Sequence, residues 1–288
     1  MYYLRRILYL YTVSVLTHIN WKRDELEEQK AAGKDLVPLM SGHSKWHNIR
    51  LRKGVQDAKR GNLFTKLAKE IIMAAKNGGG NPDNNLRLRL AIQKARENSM
   101  PADNIKRSIQ RGTGEVDGAV FEEALYEGYG PGGVAVLVEV ATDNKNRTVP
   151  NIRNIFVKNG GRLGESGSVA YRFRSLGVVT VAKSAIDEDT LFAVALEAGA
   201  EDVRSDDENY EVLAQPEDFG AVQKAIEAAK IPIRNSELTM EPTDTVHLES
   251  KDVSQMLRLM ERLEDDDDVQ QVHANFDISE EVLASVEH

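Results

Sequence analysis

Hydrophobic periodicity changes from helical to strand-like at Gly112-Thr113-Gly114, and the charge of the chain changes sign there too. Before that point Leu63, Phe64, Leu67, Ala68, Ile71, Ile72 and Ala75 recur at three- and four-residue steps, which gathers them on one stripe of a helix. Lys66, Lys69 and Lys76 lie off the stripe and are expected on a face turned to water or a ligand. Gly78-Gly79-Gly80-Asn81-Pro82 cannot continue the helix. A second helix is expected from about Asn84, with Leu86, Leu90, Ala91 and Ala95 inward and Arg87, Arg89, Lys94 and Arg96 mostly outward. Pro101 suits the first position of a third helix, which has Asp103 in its first turn and runs through Ile105 and Ile109 to Gly112. Together these form a small basic helical bundle.

Beyond Gly114 the pattern is mixed. Val134 to Val140 is a strand by its β-branched content, and Phe121 to Tyr129 is expected to hold its antiparallel neighbour. Asn151 to Lys158 reads as a helix closed by Gly160-Gly161, and Ser168 to Phe173 alternates like a strand. From Val178 the order is strand (Val178 to Ala182), helix (Asp187 to Ala198), strand (Asp202 to Arg204), strand (Tyr210 to Leu213), helix (Pro216 to Ala229) and strand (Leu238 to Glu241). That βαββαβ order is the ferredoxin-like unit. After Pro242 come a short strand (Val246 to Leu248), a helix (Asp252 to Leu263) and a strand (Val269 to Phe276), which complete the segment preceding the unit. The expected fold is therefore multidomain α+β: an N-terminal helical bundle, then a discontinuous α+β domain with an inserted ferredoxin-like domain. The expected limits are 40–115 for the basic helical domain, 116–175 with 245–288 for the discontinuous domain, and 176–244 for the insert.

At 288 residues several domains are the natural expectation, and 41% hydrophobic with 29% charged residues describes a water-soluble chain. The absence of cysteine removes disulfides, thiolate metal sites and thiol nucleophiles, and suits a reducing cytoplasm. Net charge of −9 conceals a partition. Residues 40–113 carry 16 Lys/Arg against 5 Asp/Glu, net +11, whereas residues 114–288 carry 15 against 36, net −21. The insert alone, 176–244, has 5 against 16. Such asymmetry points to a polyanion partner for the basic part and a protein contact or structural role for the acidic part. Residues 1–39 lack the cleavage site of a signal peptide and the apolar length of a membrane span. They are expected to be an extension upstream of a working start at Met40.

Function points to the stretch behind Met40. Residues 41–53 crowd Lys45, Trp46, His47, Arg50, Arg52 and Lys53 together, followed by Lys59, Arg60 and Lys66. Cations displace the counterions condensed on a phosphate backbone, and an indole offers a face for a base. Lys45, Arg50, Arg52, Lys53, Lys59, Arg60 and Lys66 are the expected phosphate contacts, with Trp46 and His47 as base or sugar contacts. Other motifs carry less. Gly128-Tyr129-Gly130-Pro131-Gly132-Gly133 satisfies G-x-G-x-x-G but precedes a strand, so it reads as an inter-strand turn rather than a dinucleotide site. His43 and His47 lack a third ligand, and their cationic setting opposes a metal. Glu264-Asp265-Asp266-Asp267-Asp268 reads as a solvated helix-to-strand connection. The insert lacks the strand aromatics of an RNA-recognition module, Tyr210 excepted. No nucleophile, base and oxyanion donor assemble, so no catalytic residues, cofactor, metal or small-molecule substrate are expected, and no membrane contact.

Several runs together resemble one family. They are Met40-Ser41-Gly42-His43-Ser44-Lys45-Trp46-His47-Asn48-Ile49, Lys59-Arg60-Gly61-Asn62-Leu63-Phe64-Thr65-Lys66-Leu67, Gly128 to Gly133, Asn159-Gly160-Gly161, and Gly167 to Phe173. In this order they are similar to the YebC/PmpR family, over essentially residues 40–288. The resemblance implies a helical N-terminal domain and two α+β domains, one inserted in the other, in a cytoplasmic, non-enzymatic regulator. Bacterial members are described as DNA-binding transcriptional regulators; mitochondrial relatives are translational activators, and some bacterial members act in translation on the ribosome. DNA is thus the expected partner, with ribosomal RNA the alternative.

Overall fold

A computed structural model describes residues 60–206, 208–279 and 282. It begins with three helices, α1 (Arg60–Gly78), α2 (Leu86–Glu97) and α3 (Ala102–Gly112). Leu67, Ile71, Ala74 and Ala75 of α1 pack on Leu88, Ala91, Ile92 and Ala95 of α2, with Met100 and Ile105 closing the bundle. Buried Asn85 fastens the first corner. Its Oδ1 accepts from Leu88 N at 3.0 Å and caps α2, while Nδ2 donates to the Ala74 and Gly79 carbonyls at the end of α1. Pro101 stands one position earlier than the pattern suggests, as the N-cap of α3. Leu86 and Leu90 also depart from expectation: both pack against the core of the ferredoxin-like unit, and fully buried Leu88 takes the inward place. A helix wedged between two cores carries apolar side chains on two sides, so a one-stripe pattern misassigns one set.

Strand β1 (Glu122–Tyr129) pairs antiparallel with β2 (Ala135–Thr142), with Leu125 opposite Glu139. The glycine-rich run between them is a turn, with Gly132 at φ 70° and Gly133 at φ 80°. A Cβ on Gly132 would also lie 2.5 Å from Leu248 Cδ2, so a side chain here would be strained by the backbone and would have to displace Leu248. Helix α4 (Lys145–Lys158) begins six residues before the expected start, because Asn144 caps it and Pro150 sits on its exposed side while Thr148, Ile152 and Phe156 face the core. After the two-residue strand β3 (Arg162–Leu163), the segment expected as a strand over 168–173 instead turns in a 3-10 helix at Ala170–Arg172. The cause is Glu127, whose buried carboxylate accepts from the amides of Gly167, Val169 and Ala170 at 2.6, 2.7 and 2.8 Å. Three amides converging on one carboxylate require a turn, since strand amides alternate in direction. Burial opposes ionisation of Glu127, but these three donors hold its pKa below the ordinary value.

The second sheet comprises β4 (Phe173–Ala182), β5 (Asp202–Ser205), β6 (Asn209–Ala214) and β7 (Ile233–Pro242). Helices α5 (Glu188–Glu197) and α6 (Phe219–Ala228) connect them. Spatial order is β5-β6-β4-β7 with every pair antiparallel, the ferredoxin-like arrangement. Tyr210 is buried against the α5/α6 side with Val179, Val181, Val212 and Phe219, so it offers no stacking platform. Strands β4 and β7 are longer than the pattern suggests, and their ends carry Phe173 and Met240 into a small core with Ala135, Leu137 and Val169 of the parent domain. Chain return then gives β8 (Val246–His247), α7 (Ser250–Glu264), β9 (Val269–Ala274) and β10 (Phe276–Asp277). Strand β9 completes a sheet of order β3-β1-β2-β9, and β10 pairs parallel with β8. Asn275 closes the discontinuity: its Oδ1 accepts from Ala135 N at 2.7 Å, and its Nδ2 donates to Asp244 O. Val138, Val140, Phe156, Met256, Leu259, Met260 and Val272 fill the space between this sheet and helices α4 and α7.

The acidic run from Glu264 joins α7 to β9 as expected, but its last residue, Asp268, departs from the solvated connection that its composition suggests. Asp268 is 4% exposed. It receives Lys69 Nζ at 2.8 Å, Arg147 Nη2 at 2.7 Å and the Thr148 hydroxyl at 2.7 Å. Burial opposes its ionisation, but Lys69, Arg147 and Thr148 outweigh that and hold its pKa well below the usual carboxylate range. Removing one partner of a buried pair leaves an uncompensated charge, so Asp268→Ala should cost about 3–5 kcal/mol in urea unfolding. A folded-state pKa below the unfolded value of about 3.9 gives stability that is fully present at neutral pH and is lost as pH falls below about 4. Wild type should show that acid loss, and Asp268→Ala should show a shallower one.

Candidate nucleic-acid interface

Of the residues expected to contact nucleic acid, Lys45, Trp46, His47, Arg50, Arg52, Lys53 and Lys59 lie outside the described residues, as does the side chain of Arg60, the first residue of α1. Lys66 is described, and its Nζ donates to the Glu264 carbonyl at the end of α7, 2.5 Å away. Lys69, expected to face water or a ligand, is 6% exposed and bonds both the Asp267 carbonyl and the Asp268 carboxylate. The off-stripe face of α1 therefore meets an acidic protein surface. Lys76 Nζ reaches the Phe121 carbonyl at 2.8 Å.

Helix α2 contributes in the same way near its start. Arg87 donates Nε to Glu70 at 2.8 Å and Nη2 to Glu123 at 2.5 Å, joining α1, α2 and β1. Burial opposes its charge, but Glu70 and Glu123 outweigh that and raise its pKa further above its already high value. Helical periodicity had no means of finding this clamp, since Glu123 comes from a strand in the next domain.

A second group of cations points elsewhere. Lys94 and Arg96 in the last turn of α2, with Lys106 and Arg107 on α3, are exposed. None of the four has a carboxylate partner among the described residues. The helical domain thus divides its charge. Lys66, Lys69, Lys76 and Arg87 hold the acidic body, while Lys94, Arg96, Lys106 and Arg107 remain hydrated and available to an anion. Among the described residues no helix is long and apolar enough to cross a membrane.

This division should be visible in stability. Arg87→Ala removes a bidentate pair and a second carboxylate contact, and is expected to lower unfolding free energy by about 1 kcal/mol. Lys106→Ala should remain within about 0.5 kcal/mol of wild type in the same titration.

Comparisons agree with this architecture. A conserved hypothetical protein from Aquifex aeolicus, of known crystal structure, superposes with a TM-score of 0.72 at 45% identity, covering 79% of this chain and 94% of its own. A protein of Dictyoglomus turgidum named "Probable transcriptional regulatory protein" is 54% identical over 248 residues, 86% of this chain and all of its own. One of the same name from Natranaerobius thermophilus is 52% identical over 247 residues, 85% of this chain and 99% of its own. Residues 44–115 match the model of the TACO1/YebC protein N-terminal domain, and residues 121–276 match that of the TACO1/YebC second and third domain. With both models matched in order and relatives above 50% identity along their whole length, the chain belongs to the TACO1/YebC family.

Proposed function

We propose that the protein is a non-enzymatic transcriptional regulator that binds DNA through its basic N-terminal helical domain. The observation that carries this reading is the charge partition, net +11 over residues 40–113 against net −21 over residues 114–288. Relatives named as transcriptional regulatory proteins support the regulatory class. Lys66 is engaged with the Glu264 carbonyl, so the phosphate contacts fall to Lys45, Arg50, Arg52, Lys53, Lys59 and Arg60. Trp46 and His47 supply base or sugar contacts. Exposed Lys94, Arg96, Lys106 and Arg107 widen the electropositive field without adding strain to the fold. Backbone phosphates position such a protein, and sequence choice needs further base contacts.

Six phosphate contacts on duplex DNA predict a log–log salt slope of roughly −5. Binding of the full chain to promoter duplex should follow it, and Arg52→Glu with Lys53→Glu should weaken binding and flatten the slope by about 2. A slope near zero would remove the electrostatic account. Ribosome association that is tight in the same salt series, beside weak and sequence-blind duplex binding, would move the target from DNA to ribosomal RNA.

A further inference from the structure

Where the three domains meet, a cleft of about 470 Å³ opens between α2, the outer face of the β1/β2 pair and strand β7. Its volume is that of an ordinary ligand site. Three observations give it a chemistry. Residues 235–240 of β7 all line it. Side chains alternate between the faces of a strand, so six consecutive lining residues mean that the edge of β7 borders the space. Strand β7 is indeed an edge strand, in the order β5-β6-β4-β7, and its outer row of amides and carbonyls is what another strand would pair with.

Next, the cleft holds polar atoms that the fold leaves unused. Ser236 Oγ, Thr239 Oγ1 and Gln270 Nε2 are buried and have no hydrogen-bond partner. Thr239 is only 8% exposed. Leaving such groups unpaired costs free energy, which a bound partner would recover. Gln270 Nε2 is a donor, so the occupant must bring acceptors as well as donors.

Finally, five carboxylates line the cleft against two cations, a formal excess of three negative charges; Arg87 is shared by Glu70 and Glu123, and Glu139 is bonded to His273, which leaves Glu97 and Glu237 at the cleft with Lys94. This excess repels phosphate and favours cationic side chains. Leu125, 40% exposed on β1, supplies an apolar floor.

We propose that the cleft is a docking site for an extended, lysine- or arginine-bearing segment of a partner protein, added as a strand to the edge of β7. Backbone pairing supplies affinity in such strand addition, and alternate side chains supply selectivity. Carbonyls of the segment accept from Gln270 and the two hydroxyls. Its cations meet Glu97 and Glu237 at the rim, and its apolar side chains lie on Leu125. A simple polyamine satisfies the carboxylates but neither the strand edge nor the Gln270 donor.

The test uses the full chain and three labelled octapeptides followed by fluorescence anisotropy, with no nucleic acid present, so its result is independent of DNA binding. An alternating Lys-Val peptide should bind saturably and an alternating Glu-Val peptide should not. The Lys-Val peptide methylated at alternate backbone nitrogens should bind at least tenfold more weakly. Amides of residues 235–240 should gain hydrogen-exchange protection on binding, and Glu97→Lys with Glu237→Lys should weaken it at least tenfold. Absence of binding, equal binding of the methylated peptide, or unchanged exchange in β7 would each overturn the proposal. So would tighter peptide binding by Arg50→Glu with Arg52→Glu, because the chain's own basic segment would then be the occupant.

Discussion

Docking of the basic helices onto the acidic body depends on one buried carboxylate. Asp268 sits between Lys69 from the helical domain and Arg147 from α4, with the Thr148 hydroxyl completing its shell. Removing a charge from water is costly, and only a full set of charge-assisted hydrogen bonds offsets that cost. The same loop presents the Glu264 and Asp267 carbonyls to Lys66 and Lys69, so its backbone and its carboxylate act together. Loss of the Asp268 carboxylate would remove the group that Lys69 and Arg147 share and leave α1 held to this loop by the Glu264 and Asp267 carbonyls alone. Arg87 reinforces the same interface from α2 by joining Glu70 to Glu123.

This docking bears on function. A basic module tied to an acidic body has its cations drawn inward by the nearest carboxylates unless the fold assigns them. Here the assignment is spatial: α1 and the start of α2 face the body, whereas the last turn of α2 and α3 carry Lys94, Arg96, Lys106 and Arg107 into solvent. The acidic excess is kept partly in the ferredoxin-like unit, whose Glu241 is paired with Arg174 and Arg204. That unit buries Tyr210 and Phe219 in its core.

Much of the fold is legible along the chain because its signals are local. The stripe from Leu63 to Ala75 announces α1, the run from Val134 to Val140 announces β2, and βαββαβ order suffices to name the inserted unit. Departures occur where a distant group decides. Residues 168–173 alternate like a strand, but Glu127 draws three of the segment's amides to one point. Leu86 and Leu90 keep helical spacing, yet face a core whose residues begin at Val179, far along the chain. Asp268 belongs to a run of five acids and differs from its neighbours only by lying opposite Lys69 and Arg147.

Most element types, their order, the charge partition and the family can be read along the chain, because periodicity, turn residues and composition act over a few positions at a time. Tertiary structure alone decided which cations are structural and which are available, and which acids are buried. It also decided where three domains leave a polar cleft beside an unpaired strand edge. Those outcomes turn on through-space distances of a few ångströms between residues from 36 positions apart (Arg87 and Glu123) to 199 (Lys69 and Asp268), for which no local pattern carries a signal.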